Sequence, residues 1–148
     1  MVTLPDLEVF LKKHKKIGID SKILIYFIEA HPLYHPLTLH IFKSIEEGKN
    51  IGVCSALSLL EVLVQPYRKN KQDLVNQFYA LLTTYPNLNW GELTIEIADL
   101  GARLRARYQI KTPDAILLAT SLHSKATGFI GNDLQLNRVS EIEVFALS

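Results

Sequence analysis

The chain has 148 residues, of which 48% are hydrophobic and 21% are charged, an ordinary composition for a globular protein. Its formal net charge of +1 provides no strong overall field, so any affinity for nucleic acid must come from a local patch. A single cysteine, Cys54, excludes an intramolecular disulfide and a metal site built on several cysteines. No apolar run reaches membrane-spanning length and no N-terminal signal pattern is present, so we expect a soluble cytoplasmic protein without a membrane partner.

The first third of the sequence predicts a leading helix, a strand and two further helices. Apolar residues recur at helical spacing from Leu4 to Leu11. The lysine-rich run 12–16 that follows is either a solvated helix end or a patch that contacts phosphate. A short apolar strand, 17–19, then ends at Asp20, and Ser21 is placed to cap a helix that reaches about residue 30. After a proline-marked loop with two exposed histidines, residues 37–45 form the next helix.

The middle of the sequence predicts a strand at 51–54 and two helices. Ser55 is placed to cap a helix over residues 56–64 that ends before Pro66. Within this helix Glu61 is the one charged residue among apolar neighbours. An amphipathic helix over residues 74–82 and a weak strand around residues 88–90 follow.

The last third predicts two helices and two strands. Thr94 caps a helix whose apolar stripe faces the core, so Asp99 and Glu96 should point to solvent or pair with arginine. Thr112 is the expected N-cap of a buried helix that ends near residue 124, with Asp114 in its first turn. Strands are expected at 128–130, just before Asn132-Asp133, and at 143–146.

Short apolar strands that alternate with helices predict an α/β fold: a three-layer α/β/α sandwich around a mainly parallel sheet of four to five strands. We expect one domain over residues 1–148, with a leading helix in residues 1–16 and the core in residues 17–147. In such sheets, ligands bind beyond the carboxyl ends of the strands. Asp20 and Asp133 each follow a strand, and Asp114 opens a helix that starts at the same edge.

Four carboxylates brought to one edge repel one another unless cations compensate them. Oxygen-only ligands suit Mg²⁺ or Mn²⁺, and such sites clamp a phosphodiester and activate water. The sequence contains no HExxH motif, no Walker A loop and no GxGxxG motif, so a zinc protease or a nucleotide-binding protein has no support.

Four segments in order resemble the four motifs of PIN-domain ribonucleases. They are Asp20-Ser21 before an apolar helix, the segment from Ser55 to Glu61, Thr112-Pro113-Asp114, and Asn132-Asp133. The resemblance implies a Mg²⁺- or Mn²⁺-dependent endoribonuclease, often the toxin of a VapBC-type toxin–antitoxin pair. It also implies a metal site in which some acids bind directly and others through water; its members are Asp20, Glu61, Asp114 and Asp133. Further residues are expected to support the site or contact substrate: Ser21, Lys22, Arg107, Lys111 and Asn132.

Two positions depart from the family pattern, and they keep a second class of function open. Lys22 stands where the family has a small polar residue, and Gly131 stands where it commonly has a hydroxyl residue. Both changes leave the acids in place but affect metal affinity and rate, so an inactive RNA- or protein-binding module is the alternative. A phosphoacceptor signalling domain is a third class, but Asp20 has no acidic neighbour and no lysine ends the strand at 128–130.

The nuclease hypothesis makes a geometric prediction. Ligand oxygens around bridged metals span no more than about 8 Å, so the four acids should converge within that order of distance. Without metal they should still cluster, and at least one should have a raised pKa. The expected partners are an RNA substrate, an antitoxin protein and a second copy of the chain in a homodimer.

Overall fold

The computed structural model describes residues 2–148, so Met1 of the expected leading segment lies outside it. Five strands and seven α-helices make up the described chain. The strands are β1 (Lys16–Ile19), β2 (Ile51–Ser55), β3 (Leu88–Gly91), β4 (Gly128–Gly131) and β5 (Glu143–Ala146). The helices are α1 (Leu4–Lys13), α2 (Ser21–Ile28), α3 (His35–Glu46), α4 (Ala56–Arg68), α5 (Gln72–Thr83), α6 (Ile95–Tyr108) and α7 (Thr112–His123). A 3₁₀ helix, Leu134–Arg138, joins β4 to β5.

The five strands form one sheet in the order β3-β2-β1-β4-β5, and every neighbouring pair is parallel. A separate apolar core covers each face of this sheet. Residues of α1 to α5 pack on one face, where Ile17 and Ile130 point, and residues of α6 and α7 pack on the other face around Phe129. The predicted three-layer α/β fold is therefore confirmed, because side chains along a strand alternate between the faces and each face is covered by helices.

Helix boundaries differ from the sequence prediction at four places. Helix α4 continues through Pro66 to Arg68, because the buried proline removes only one backbone donor while packing against α5 holds the last turn. Asp20, not Ser21, occupies the N-cap position of α2, and His35 begins α3 instead of lying in the loop. Thr112 is the first residue of α7 and not its N-cap, because its hydroxyl accepts a hydrogen bond from Arg105 Nη1 at 3.0 Å.

Two predicted caps are confirmed. Ser55 Oγ accepts from the Leu57 backbone N–H at 3.1 Å, and Thr94 Oγ1 accepts from the Ile97 N–H at 3.2 Å. Both hydroxyls therefore satisfy a backbone donor that a helix start otherwise leaves free. Separately, no helix within residues 2–148 is long and apolar enough to cross a membrane.

The leading helix α1 is tied to the amino edge of the sheet by a buried histidine. His14 Nδ1 lies 2.8 Å from Thr127 Oγ1, and its Nε2 lies 3.0 Å from Glu143 Oε1. The ring fills the space beside Gly128, where a β-carbon would stand 2.8 Å from His14 Cγ. This contact positions the end of α1 at the edge opposite to the strand ends that carry the acids.

Candidate active site at the carboxyl edge of the sheet

Pairing between β1 and β4 places two of the predicted acids at the same edge of the sheet. Ile19 is in register with Ile130, and the Asp20 backbone N–H donates to the Ile130 carbonyl at 3.0 Å. Asp133 follows two residues after the end of β4, and its Oδ1 accepts from the Gln135 N–H at 2.9 Å. The sheet therefore brings Asp20 and the Asn132-Asp133 segment to neighbouring strand ends.

Helices α4 and α7 supply the other two acids. Asp114 lies in the first turn of α7, where the helix dipole favours an anion. Glu61 lies on α4 and is oriented by α2: Ser21 Oγ stands 2.8 Å from Glu61 Oε1 and 2.8 Å from Ser58 Oγ. Since Ser21 is only 4% exposed, this hydroxyl fixes the Glu61 carboxylate from a buried position.

The pKa values show that the four acids act on one another. Burial raises the pKa of Asp20 to about 6, with Asp114 as the next cause and Glu61 as a smaller one. Burial also raises the pKa of Asp114, followed by the charge of Asp133 and then that of Glu61. At least one acid thus has a raised pKa, with burial as its first cause and a neighbouring acid as its second, and the convergence of all four carboxylates into one cluster stays a prediction.

Two lysines oppose this accumulation of negative charge. The ammonium group of Lys22, in the first turn of α2, lowers the pKa of both Asp20 and Asp114. Lys111, at the N-cap position of α7, lowers the pKa of Asp114. Both side chains are exposed, so they remain free to contact a negatively charged ligand at this edge.

The donor set fits a hard divalent cation in its chemistry. Every member is a carboxylate, and burial first and neighbouring acids next raise the pKa values of Asp20 and Asp114. A bound cation would offset both effects. As the side chains stand, however, no group of three or more His, Cys, Asp or Glu residues in the described chain is arranged to hold a metal ion. The spacing of about 8 Å between ligand oxygens therefore stays a prediction.

The two remaining predicted residues, Asn132 and Arg107, have different surroundings. Asn132 adjoins the acids, and Arg107 is paired elsewhere. Asn132 Nδ2 donates to the Tyr26 hydroxyl at 3.0 Å, and Asn132 Oδ1 accepts from Ser148 Oγ at 2.5 Å. Arg107 Nη1 instead donates to Glu141 Oε2 at 3.2 Å near the start of β5. The sequence did not single out Tyr26, because nothing in an apolar helix marks the one ring whose hydroxyl reaches Asn132.

The acids expected to lie outside the site are placed on the solvent side of α6. Asp99 Oδ2 pairs with Arg103 Nη2 at 3.2 Å one helical turn away, and both side chains are 71% exposed. Glu96 is also exposed. This prediction is confirmed, and it separates a surface ion pair from the partly buried acids at the carboxyl edge.

Comparison with known proteins gives one family match and several structural matches. A family model described as the PIN domain matches residues 17–142. No curated protein matches the chain.

Three solved structures share the fold. VapBC2 from Rickettsia felis, bound to a DNA fragment from its promoter, superimposes with a TM-score of 0.72 at 13% identity over 88% of this chain and 98% of that one. A toxin–antitoxin complex from Klebsiella pneumoniae gives 0.67 at 20% identity, with 88% and 96% covered. Mycobacterium tuberculosis VapC20, a toxin that cleaves the sarcin–ricin loop, gives 0.60 at 12% identity, with 76% and 86% covered.

Proposed function

This chain belongs to the PIN domain family, and from that premise we propose that it is a Mg²⁺- or Mn²⁺-dependent endoribonuclease, the toxin of a toxin–antitoxin pair. The observation that carries the proposal is the burial of Asp20 near other acids at the carboxyl edge, because burial first and the charge of Asp114 next raise its pKa to about 6. Partly buried acids that neighbouring cations compensate only in part are costly to the folded protein, so their positions at one edge favour a functional reason.

In this proposal each side chain has a stated role. Asp20, Asp114 and Asp133 hold the cation directly, and Glu61 holds it directly or through water. A cation held by these carboxylates would supply a Lewis acid for the phosphodiester and would lower the pKa of a water for hydrolysis. Ser21 keeps the Glu61 carboxylate in one orientation. Lys22 and Lys111 attract the phosphates of the RNA on either side of the bond that is cleaved.

The decisive experiment compares Asp114→Asn with Asp99→Asn. Both remove one carboxylate charge and keep the shape of the side chain. Because Asp114 belongs to the cluster and Asp99 pairs only with Arg103 on the surface, only the first should abolish cleavage. We expect a loss of at least about a hundredfold, since the lost stabilisation is several kcal/mol. Cleavage of labelled single-stranded RNA is followed on gels with added Mn²⁺ and with a chelator.

Thermal unfolding of both variants controls for misfolding, and both should unfold near the wild-type temperature. Cleavage that persists in Asp114→Asn and in chelator rules out the metal mechanism. Equal losses of cleavage in the two variants would show that the assay responds to any damage to the protein and not to the acid cluster in particular.

A second candidate is a binding module on the same fold, with little or no catalytic activity. It is favoured by the arrangement of the acids, which as they stand form no metal-holding group within residues 2–148, and by the positive charge of Lys22 beside Asp20. RNA that binds to the wild-type protein but is never cleaved at millimolar Mn²⁺ would support this candidate against the nuclease.

The partner proposals rest on the structural relatives. Two of these solved structures are toxin–antitoxin complexes, so we propose that an antitoxin protein also binds this chain. Growth arrest on expression in bacteria, relieved by the product of the neighbouring reading frame, would support it. We further propose a homodimer, and light scattering that gives only the monomer mass at micromolar concentration contradicts it.

A further inference from the structure

A basic cleft lies at the amino edge of the sheet, opposite to the acids. It has a volume of about 760 Å³ and lies between α1, α3 and the starts of β1 and β2. Five lysines and two glutamates line it, an excess of three positive charges in a chain whose formal net charge is +1. The lysines that define the basic cleft are Lys12, Lys13, Lys15, Lys43 and Lys49.

Three of these lysines already have partners. Lys13 Nζ lies 2.6 Å from Glu143 Oε2, and Lys49 Nζ lies 3.3 Å from Glu47 Oε1. Lys15 Nζ donates to the Gly48 carbonyl at 2.7 Å, two residues beyond the end of α3. The side chains of Lys12 and Lys43 are exposed, and their ammonium groups make no hydrogen bond or ion pair with any residue of 2–148. They are the cations that a ligand can use.

Both glutamates of the cleft are occupied as well. Glu8 Oε1 pairs with His40 Nε2 at 3.2 Å, and Glu47 pairs with Lys49. Attraction to the negative end of a helix accounts for a lysine in the last turn of α1 and of α3. This attraction does not explain why the ends of α1 and α3 lie side by side, so that two lysines without a partner line one concave site.

One side of the cleft lies outside the residues that the family model matches, and the other side lies within them. Helix α1 ends at Lys13, ahead of the residues 17–142 that the PIN domain model matches. The cleft therefore depends on a segment that this chain carries in front of that core.

The lining of the cleft indicates the chemistry of its ligand. No Phe, Tyr or Trp side chain is among the described residues that line it, and its one ring, that of His40, is held by Glu8, so stacking of nucleobases contributes little to binding there. The polar groups at its base, Ser44 and Asn50, bond to each other at 2.5 Å, and the Asn50 amide also donates to the carbonyls of Leu11 and His14. Recognition there depends on the charge of exposed lysines, which suits a ligand with several phosphates and no required base.

We propose that the basic cleft binds the phosphodiester backbone of the RNA substrate at a distance from the acids. This inference rests on the proposed nuclease function. The strands between the two edges are four to five residues long, which separates the two sites by at least about 13 Å. The cleft therefore increases affinity for RNA that extends beyond the cleaved bond and has no effect on an RNA of only a few nucleotides.

The test compares Lys12→Gln/Lys43→Gln with a control pair, Lys69→Gln/Lys125→Gln. Both pairs remove two positive charges, and the control lysines are also exposed and lie one or two residues beyond the ends of α4 and α7. Binding is measured in the Asp114→Asn background, so that the RNA stays intact. Fluorescence anisotropy is recorded with RNAs of about four and about thirty nucleotides over a range of salt concentrations.

We expect the cleft pair to weaken binding of the long RNA about tenfold at low salt and to reduce the slope of log K against log salt by about 1.4, since each phosphate contact contributes about 0.7. The control pair and the short RNA should change little. As a second measurement, on the Asp114→Asn protein with all its lysines unchanged, bound long RNA should protect Lys12 and Lys43 from acetylation.

Equal effects of the two lysine pairs, or no protection of Lys12 and Lys43, would overturn the proposal. The proposal would also be overturned if polyglutamate bound in a way that depended on Lys12 and Lys43 while RNA binding did not depend on them. The cleft would then be a site for an acidic peptide. Since binding is read without cleavage, a failed nuclease assay leaves this result interpretable. A failure of the cleft likewise leaves the acid cluster untouched.

Discussion

Ser21 and Glu61, forty positions apart, are joined by a hydrogen bond of 2.8 Å between Oγ and Oε1. The bond links the start of α2 to the middle of α4. Because Ser58 Oγ stands at the same distance from Ser21 Oγ, the hydroxyl is held between two partners and is not free to rotate. Glu61 therefore has a defined orientation before any ligand binds.

Ser21→Ala should reduce the affinity for Mn²⁺ about tenfold, because partners that orient a metal ligand typically contribute that much or more. Calorimetric titration with Mn²⁺ measures the change. The matched control is Ser58→Ala, which also removes a hydrogen bond from the buried pair but leaves the bond between Ser21 and Glu61. Both variants should lose about 1 kcal/mol of unfolding free energy. Equal Mn²⁺ affinities in the two variants would contradict an orienting role for Ser21.

We predict that Gly18→Ala strongly lowers the stability of the protein, whereas Gly101→Ala does not. A β-carbon on Gly18 would stand 2.0 Å from Ser121 Oγ and 2.7 Å from Phe129 Cδ2, so Gly18→Ala forces α7 away from the sheet. We expect a loss of about 3 kcal/mol or more. On Gly101 the nearest atom is the Ala115 carbonyl oxygen at 3.6 Å, an ordinary contact, and alanine should add about 0.5 kcal/mol through helix propensity.

Urea unfolding of the two alanine variants measures the difference. A Gly18→Ala protein as stable as Gly101→Ala would show that the contact between β1 and α7 is looser than the structure gives.

Much of the fold follows from the sequence because the signals are local. Uninterrupted apolar strands such as 51–54 and helix starts such as Ser55 and Thr94 depend on neighbours a few positions away, and these predictions are confirmed. The acids were identified because a charge among apolar residues, as at Glu61, requires compensation.

The remaining features depend on contacts between distant segments. Thr112 resembles a helix cap in sequence, but Arg105 takes its hydroxyl in the folded chain. Arg107 resembles a substrate contact, but Glu141 pairs with it across 34 positions. The basic cleft was foreseen only as one interpretation of residues 12–16, since Lys43 joins it through the packing of α3 beside α1.

Asp20 should make the metal-free protein less stable as the pH rises. Its pKa is about 6 in the folded protein and about 3.8 when unfolded, so between these values the folded state binds more protons. The stabilisation from the protonated carboxyl is fully present below about pH 3.8 and is lost as the pH rises through about 6. The loss is up to about 3 kcal/mol at neutral pH.

Asp20→Asn removes this dependence. In chelator, its unfolding free energy minus that of the wild type should be near zero at pH 3.5 to 4 and should increase toward pH 7, as measured by urea unfolding. Added Mn²⁺ should reverse the order at pH 7 by stabilising only the wild type. A difference that does not change with pH would mean that Asp20 is not buried among other acids.

Gly131 leaves space beside the Asp20 carboxylate, and filling that space tests the departure from the family pattern. A β-carbon there would stand 3.3 Å from Asp20 Oδ2 and 3.2 Å from Phe129 Cε1. Gly131→Ala should therefore cost about 1 kcal/mol, because both neighbours must shift by a few tenths of an ångström. Gly131→Ser adds the same β-carbon and also a hydroxyl that can donate to Asp20.

The comparison between serine and alanine isolates the hydrogen bond, since the crowding is common to both. A donor to the charged carboxylate lowers its pKa. Gly131→Ser should thus be more stable than Gly131→Ala at pH 7 and about equally stable at pH 4, and it should bind Mn²⁺ more tightly. Urea unfolding at the two pH values and calorimetric titration with Mn²⁺ give both quantities. If serine and alanine behave alike at pH 7, the hydroxyl does not reach Asp20, and the glycine at position 131 does not alter the metal affinity of this site.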